Sequence, residues 1–188
     1  YNESKSLPVL ISQIANLELP QNYLLHILIV DDNSPDGTGR IAEKLKQKYP
    51  ELIKAVIHRG RKYGLGPAYI CGFKYALKNQ YQLVFEMDAD LSHSPEYIPQ
   101  FLKKYEQGYD VVVGSRYLYG VSVINWSISR LLLSYFASIY VRWITGMKIK
   151  DPTSGFKLFH IKVLKKLNLE NMRSKGYSFQ IENIYKAY

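Results

Sequence analysis

Apolar residues follow two rhythms along this chain. Continuous runs at Leu25-His26-Ile27-Leu28-Ile29-Val30, Leu83-Val84-Phe85-Glu86-Met87 and Val111-Val112-Val113 read as buried strands. Leu52 to His58 adds a strand that alternates around Lys54. Between these runs the spacing is helical. Leu7, Leu10, Ile11 and Ile14 open the chain, and Ile41, Leu45 and Tyr49 follow the first strand, with Pro50 closing that helix. Gly64-Leu65-Gly66-Pro67 starts a helix through Lys78, and Ser94-Pro95 starts another whose inner face carries Tyr97, Ile98, Phe101, Leu102 and Tyr105. Strands alternating with helices of this length predict a parallel, right-handed α/β sheet.

Two of the predicted strands end in acids. Leu83 to Met87 runs into Asp88-Ala89-Asp90, and Leu25 to Val30 runs into Asp31-Asp32-Asn33-Ser34-Pro35-Asp36-Gly37-Thr38. Open α/β sheets bind ligands at the carboxyl ends of their strands. Asp88 and Asp90 offer two hard oxygen ligands suited to Mg²⁺ or Mn²⁺ that also touches a diphosphate. Asp31 or Asp32 could accept hydrogen bonds from the base or ribose of a nucleotide, whereas Asp36 reads as a helix N-cap. An Asp-x-Asp alone is also a common turn or helix cap. Two acid-tipped strands on one sheet favour a nucleotide-plus-metal site.

At 188 residues the chain is expected to be a single domain. A formal charge of +9 with 47% apolar residues points to a globular protein with an anionic partner. Its basic residues are spread thinly and no nucleic-acid-binding motif is visible, so nucleic acid is not the expected partner. The lone Cys71 excludes an internal disulfide and reads as packing, and His26, His58, His93 and His160 show no zinc spacing. No signal peptide is legible, and a reducing, cytoplasmic setting is the default. Leu131 to Val141 is apolar but spans about 16 Å as a helix, half a bilayer core. It reads either as a core helix or as one lying in a membrane interface, the depth that suits Trp126, Tyr135, Tyr140 and Trp143.

Cations supply further candidates. Arg59-Gly60-Arg61-Lys62-Tyr63-Gly64-Leu65-Gly66 is a candidate phosphate cradle, without the third glycine of a dinucleotide fingerprint. Arg116, following Val113, is a stronger phosphate candidate. Arg130 and Ser134 stand one helical turn apart and together suit a phosphate, such as a lipid head group. Asp151-Pro152-Thr153-Ser154-Gly155-Phe156 reads first as a structural turn, with Asp151 as an alternative acceptor-site residue.

The ordered series Tyr1-Asn2-Glu3, Asp31 to Thr38, Lys62-Tyr63-Gly64-Leu65-Gly66, Asp88-Ala89-Asp90-Leu91-Ser92-His93, Gly114-Ser115-Arg116-Tyr117 and Ser154-Gly155-Phe156 resembles the polyprenol-phosphate (dolichol-phosphate) mannosyltransferases. These are family 2 glycosyltransferases. The resemblance implies the GT-A glycosyltransferase fold: α/β, with a Rossmann-like, mostly parallel sheet and helices on both faces. It implies GDP-mannose as donor, Mg²⁺ or Mn²⁺ as cofactor, and dolichyl or undecaprenyl phosphate as acceptor. Matched residue by residue, Tyr1, Glu3, Val30 and Asp32 are nucleotide contacts. Asp88, Ala89 and Asp90 form the donor and metal loop, with Asp90 the direct ligand. Arg116, Arg130 and Ser134 contact the acceptor phosphate. Ser92 stands where some members have a metal-assisting glutamine.

The resemblance further implies work at the cytoplasmic face of a membrane, peripherally or through an anchoring subunit or C-terminal transmembrane segment. A strand is expected before Tyr1, and donor-phosphate cations beyond Tyr188, so the chain reads as one catalytic domain, residues 1–188, truncated at both ends. The expected reaction is inverting mannosyl transfer, catalysed by a dolichyl-phosphate β-mannosyltransferase. The rival is a UDP-sugar-dependent, for example glucosyl, transferase acting on undecaprenyl phosphate. Processive polysaccharide synthesis is disfavoured because no Gln-x-x-Arg-Trp motif is present.

Overall fold

The computed structural model describes residues 1–116, 128–172, 174, 176 and 178–188; at 128, 130 and 131 it describes the backbone alone. Strand β1 (Ile27–Asp31) pairs in parallel with β2 (Ile53–His58). Helices α1 (Ser6–Ala15) and α2 (Thr38–Lys48) pack with them around Leu7, Ile11, Ile29, Ala42 and Ile53. A second group holds β3 (Leu83–Glu86), β4 (Val111–Val113) and β5 (Lys157–His160), in the order β3-β5-β4. Strand β5 is antiparallel to both neighbours, which leaves β3 and β4 parallel to each other.

Strand β5 is the main departure from the sequence reading, which placed no strand after Val113. Four residues are too short to reveal a period, and Lys157 hides the apolar run. The alternation of the strand nevertheless sorts its side chains. Phe156 and Leu158 join α4 (Ile98–Glu106) in one core cluster with Ile98, Phe101 and Leu102. Phe159 joins the opposite cluster, with Phe73 of α3 (Leu65–Lys78), Leu164 of α6 (Ile161–Lys166) and Phe179 of α7 (Ser178–Ala187).

Lys157 faces the same way as Phe159. Its ammonium ion-pairs with Glu86 of β3 at 2.7 Å and also donates to Gln180 of α7, and neither charged side chain is exposed. Asn183 donates to the other Glu86 oxygen at 3.3 Å. Burial pushes the Glu86 carboxyl up to about 7, against the opposing pull of Lys157.

Helix α6 was not read from the sequence, whereas the helices that were read follow it closely. Ser94 accepts from the Glu96 amide and starts the helical segment that becomes α4, with Pro95 at its first position. Helix α5 (Ile128–Thr145) has 18 residues, longer than the apolar core read from the sequence.

Removing one partner of a buried ion pair strands the other charge, at a cost of about 3–5 kcal/mol. Lys157→Met should lose about that much stability in urea denaturation. Glu86→Leu combined with Lys157→Met should recover most of it.

Candidate functional site

The carboxyl ends of β1 and β3 carry the two acidic clusters, and Ala89 packs against the β1-side core, which ties the β3 loop to the β1–β2 sheet. Among the β1 acids, Asp31 and Asp32 are buried and spend their oxygens on the protein. Asp31 accepts from the Ser34 amide and hydroxyl at 3.2 and 2.5 Å. A Cβ on Gly39 would lie 2.8 Å from its Oδ2, so this helix approaches closely because position 39 is glycine.

Asp32 accepts from the Arg59 guanidinium and from the Tyr63 and Gly64 amides at 3.0 and 3.1 Å. It therefore shapes the Arg59–Gly64 loop directly. Asp36 accepts from the Thr38 amide and hydroxyl and from the Ser4 amide, and these bonds hold its carboxyl well below the usual range. The N-cap position itself belongs to Gly37, in the left-handed region at φ 86°. Asp36 thus caps α2 from one residue upstream and fastens the chain start to it.

Tyr1 and Glu3 lie at this same edge. The Glu3 amide donates to Thr38 at 2.8 Å, and its carboxylate accepts from Ser6 at 2.5 Å. Tyr1 is exposed beneath the Lys62 ammonium, 4.3 Å from the ring centroid, a cation–π contact. Val30 is half-buried in β1. In the proposed cradle, Gly64 caps α3 at φ 98°, which glycine adopts without strain. Gly66 instead serves packing: a Cβ there would come within 2.9 Å of the Phe179 ring.

At the end of β3 the two acids differ. Asp90 is exposed, with Oδ1 accepting from the Ser92 amide at 2.9 Å. Leu91 follows at φ 64°, a conformation that costs a non-glycine residue about 1–2 kcal/mol. Asp88 is turned inward, where its Oδ1 accepts from the Tyr69 hydroxyl at 2.6 Å. Burial, reinforced by Asp90, raises its carboxyl.

The two carboxylates suit a hard divalent cation that completes its shell with diphosphate oxygens and water. Among the described residues, no group of three His, Cys, Asp or Glu gathers that would cage a metal with protein alone. Ser92 contributes its amide to Asp90, in the position noted for a metal-assisting glutamine.

Arg116 is nearly buried and bound as a fork: Nε and Nη2 reach Asp151 at 2.8 and 2.7 Å, and Nη2 reaches Thr153 at 2.6 Å. Asp151, fully buried, thereby fixes Arg116, which bears out the structural reading of that turn. Ser154 donates to the Gly114 carbonyl at 2.6 Å and locks the turn to the end of β4. Ser134 is half-buried on α5. The Arg130 side chain, Tyr117 and Trp126 lie outside the described residues.

The sequence reading missed Tyr69 and Lys157 as neighbours of the acids. The available signal was strand parity, since Val84, Glu86 and Asp88 share one face. It also left His93 without a role. That ring lies 5.4 Å from Phe156, and burial, with Arg116 adding to it, lowers its pKa to about 4.

A family model for glycosyl transferase family 2 matches residues 1–168, and the chain belongs to that family. It is 42% identical, over 187 residues, to a polyprenol monophosphomannose synthase of Mycolicibacterium smegmatis, covering all of this chain and 69% of that protein. It is 38% identical, over 187 residues, to an undecaprenyl-phosphate mannosyltransferase of Micrococcus luteus, covering all of this chain and 74% of that protein. The fold resembles the crystal structure of Mycobacterium tuberculosis glucosyl-3-phosphoglycerate synthase, with a TM-score of 0.63 at 18% identity. That alignment covers 97% of this chain and 62% of the solved one, so the chain spans under two thirds of its structural neighbour. The likeness supports the expected α/β fold of GT-A type.

A depressed histidine pKa favours the unfolded state in acid, because the unfolded chain takes up the proton near 6.5 and the folded one near 4. The contribution of neutral His93 is intact above pH 6.5 and lost as pH falls through about 4. At about 1.4 kcal/mol per unit, His93→Gln should lose about 1–3 kcal/mol less stability than wild type between pH 6.5 and 4.5. Denaturant melts at the two pH values read this difference directly.

Proposed function

We propose that this chain transfers mannose from GDP-mannose to a polyprenyl phosphate with inversion, as a dolichyl-phosphate-type β-mannosyltransferase. The observation that carries the reading is whole-chain similarity, at 42% and 38% identity, to two proteins named for mannose and polyprenyl phosphate. The geometry supports it with two carboxylates at the β3 end and a bound-down nucleotide-side loop at the β1 end.

In this reading Tyr1, Glu3, Val30 and Asp32 line the nucleotide side. Asp32 holds the Arg59–Gly64 loop in one conformation for the donor. Asp88, Ala89 and Asp90 form the donor loop, and Asp90 presents the accessible carboxylate. Bound Mg²⁺ or Mn²⁺ would supply charge neutralisation for the departing diphosphate.

Arg116, Arg130 and Ser134 serve the acceptor phosphate, with Arg116 acting as a cation anchored by Asp151. The second pKa of a phosphate monoester is about 6, so the nucleophile is already an anion near neutrality. No general base is required.

The membrane surface enters through α5. Leu133, Phe136, Tyr140 and Trp143 recur at helical spacing and are 61–81% exposed, whereas Ser138, on the opposite side, is 2% exposed. This is an inverted soluble helix, apolar outward. No helix among the described residues is long and apolar enough to cross a membrane. Lying in the interface satisfies both observations. Exposed Arg142, Lys148 and Lys150 add attraction to anionic head groups.

Asp90→Asn should abolish mannosyl transfer at saturating Mn²⁺ while leaving the thermal melt within a few degrees of wild type. Parallel assays with GDP-mannose and UDP-glucose test the donor, and preference for the UDP-sugar would overturn the mannose assignment. Serine at positions 133, 136 and 143 together should leave the melt unchanged and cut co-sedimentation with anionic vesicles by about tenfold or more. Undiminished vesicle binding would place the membrane contact elsewhere.

A further inference from the structure

The Asp88 carboxylate is gripped from two sides, by Tyr69, which no sequence motif includes, and by Gly155, whose motif was given no role toward this carboxylate. On one side the Tyr69 hydroxyl of α3 donates to Oδ1 at 2.6 Å. On the other, Gly155 closes on Oδ2 so tightly that a Cβ there would lie 2.4 Å away. Strand parity explains why Asp88 turns inward. Val84 packs in the cluster beneath α3, Glu86 meets α7, and Asp88 continues their face beyond the end of β3.

The Tyr69 ring is itself fixed. It stacks on Phe179 of α7, with centroids 6.2 Å apart and planes 3° apart, and on Phe73, one turn along α3, at 6.3 Å. Gly66 allows that approach, since a Cβ there would strike the Phe179 ring. A hydroxyl on so constrained a ring can reach its acceptor in few ways. A carboxylate receiving it, with a glycine Cα against its other oxygen, loses its freedom to rotate.

We infer that Tyr69 is a positioning residue, which with Gly155 holds the Asp88 carboxylate in the orientation that meets the donor diphosphate and its cation. This rests on the proposed donor site. Outer partners that orient ligand carboxylates change metal affinity or activity about 10- to 100-fold when removed.

The test titrates Mn²⁺ in the presence of GDP by isothermal calorimetry, on wild type, Tyr69→Phe, Asp88→Asn and the double variant. Phenylalanine keeps the ring stack, so the Tyr69→Phe melt should stay within a few degrees of wild type. Its Mn²⁺ affinity should fall about 10- to 100-fold, and Gly155→Ala should show the same defect. In the Asp88→Asn background, Tyr69→Phe should cost nothing further, because its effect passes through that carboxylate. A purely structural role would persist there, so additive losses would overturn the inference. So would wild-type affinity in Tyr69→Phe, or a melt lowered by more than about 10 °C. A wild type that binds Mn²⁺ with UDP instead of GDP would refute the donor reading alone, and the same four proteins would then be compared with UDP. A wild type that binds neither nucleotide would overturn both.

Discussion

The buried pair between Lys157 and Glu86 is the constraint on which the described architecture turns. An ammonium and a carboxylate removed from water cost several kcal/mol each, and their attraction returns that energy only when the two meet in good geometry. Here they meet at 2.7 Å because β5 lies antiparallel to β3 in a single register. A slip by one residue would turn Lys157 into the apolar cluster of Ile98, Phe101 and Leu102, and Leu158 toward the polar side chains of α7. The wrong register would therefore bury a lone charge. Gln180 Nε2 and Asn183 Oδ1 have no hydrogen-bond partner among the described residues, so the network is incompletely satisfied. Such a network is better understood as a register device than as a source of net stability.

Once β5 is in register, the residues just before it reach fixed places. Asp151 meets Arg116, Ser154 meets the Gly114 carbonyl, and Gly155 meets Asp88. One short strand thus couples the turn to the ends of both β3 and β4. The carboxylates at the site divide accordingly. Asp31, Asp32, Asp36, Asp88 and Asp151 accept hydrogen bonds that hold loops or cations, while Asp90 remains exposed with one amide bond. Bonds made before any ligand arrives cost no reorganisation when it does, the condition under which fixed charges act most strongly on a transferring group.

Much of this was legible from residue pattern. The runs ending at Val30, Met87 and Val113 gave three strands, because strands covered on both faces need unbroken apolar residues. The acids after the first two marked the edge at which a ligand is expected. Strand β5 was not legible: a strand of four residues that opens on a lysine resembles a loop until its partners are known. Tyr69 was hidden for a related reason. Within α3 it looks like one more core aromatic, and its hydroxyl acquires meaning when β3 parity brings Asp88 beneath it. Asp31 carried the right chemistry for a ligand, and the structure shows its oxygens taken by Ser34, whereas Asp36, read as a helix cap, does cap α2 from one residue upstream. The motif could not tell a carboxylate aimed at a ligand from one aimed at its own backbone.

Helix α5 shows how a pattern read correctly can leave the direction open. Its apolar residues gave a helix, yet periodicity alone does not say whether the apolar stripe faces a core or a lipid. The exposure of Leu133, Phe136, Tyr140 and Trp143, against the burial of Ser138, decides that it faces outward. Such a surface is costly in water and suited to a bilayer interface, where an amphipathic helix sinks about 5–10 Å. A polyprenyl phosphate keeps its phosphate at that same depth, because its tail is held by the hydrocarbon and its charge by water. On the proposed function, a domain seated by α5 would meet the acceptor where it already lies. The binding energy of the apolar face would then stand in for the large cost of drawing a lipid tail out of the membrane.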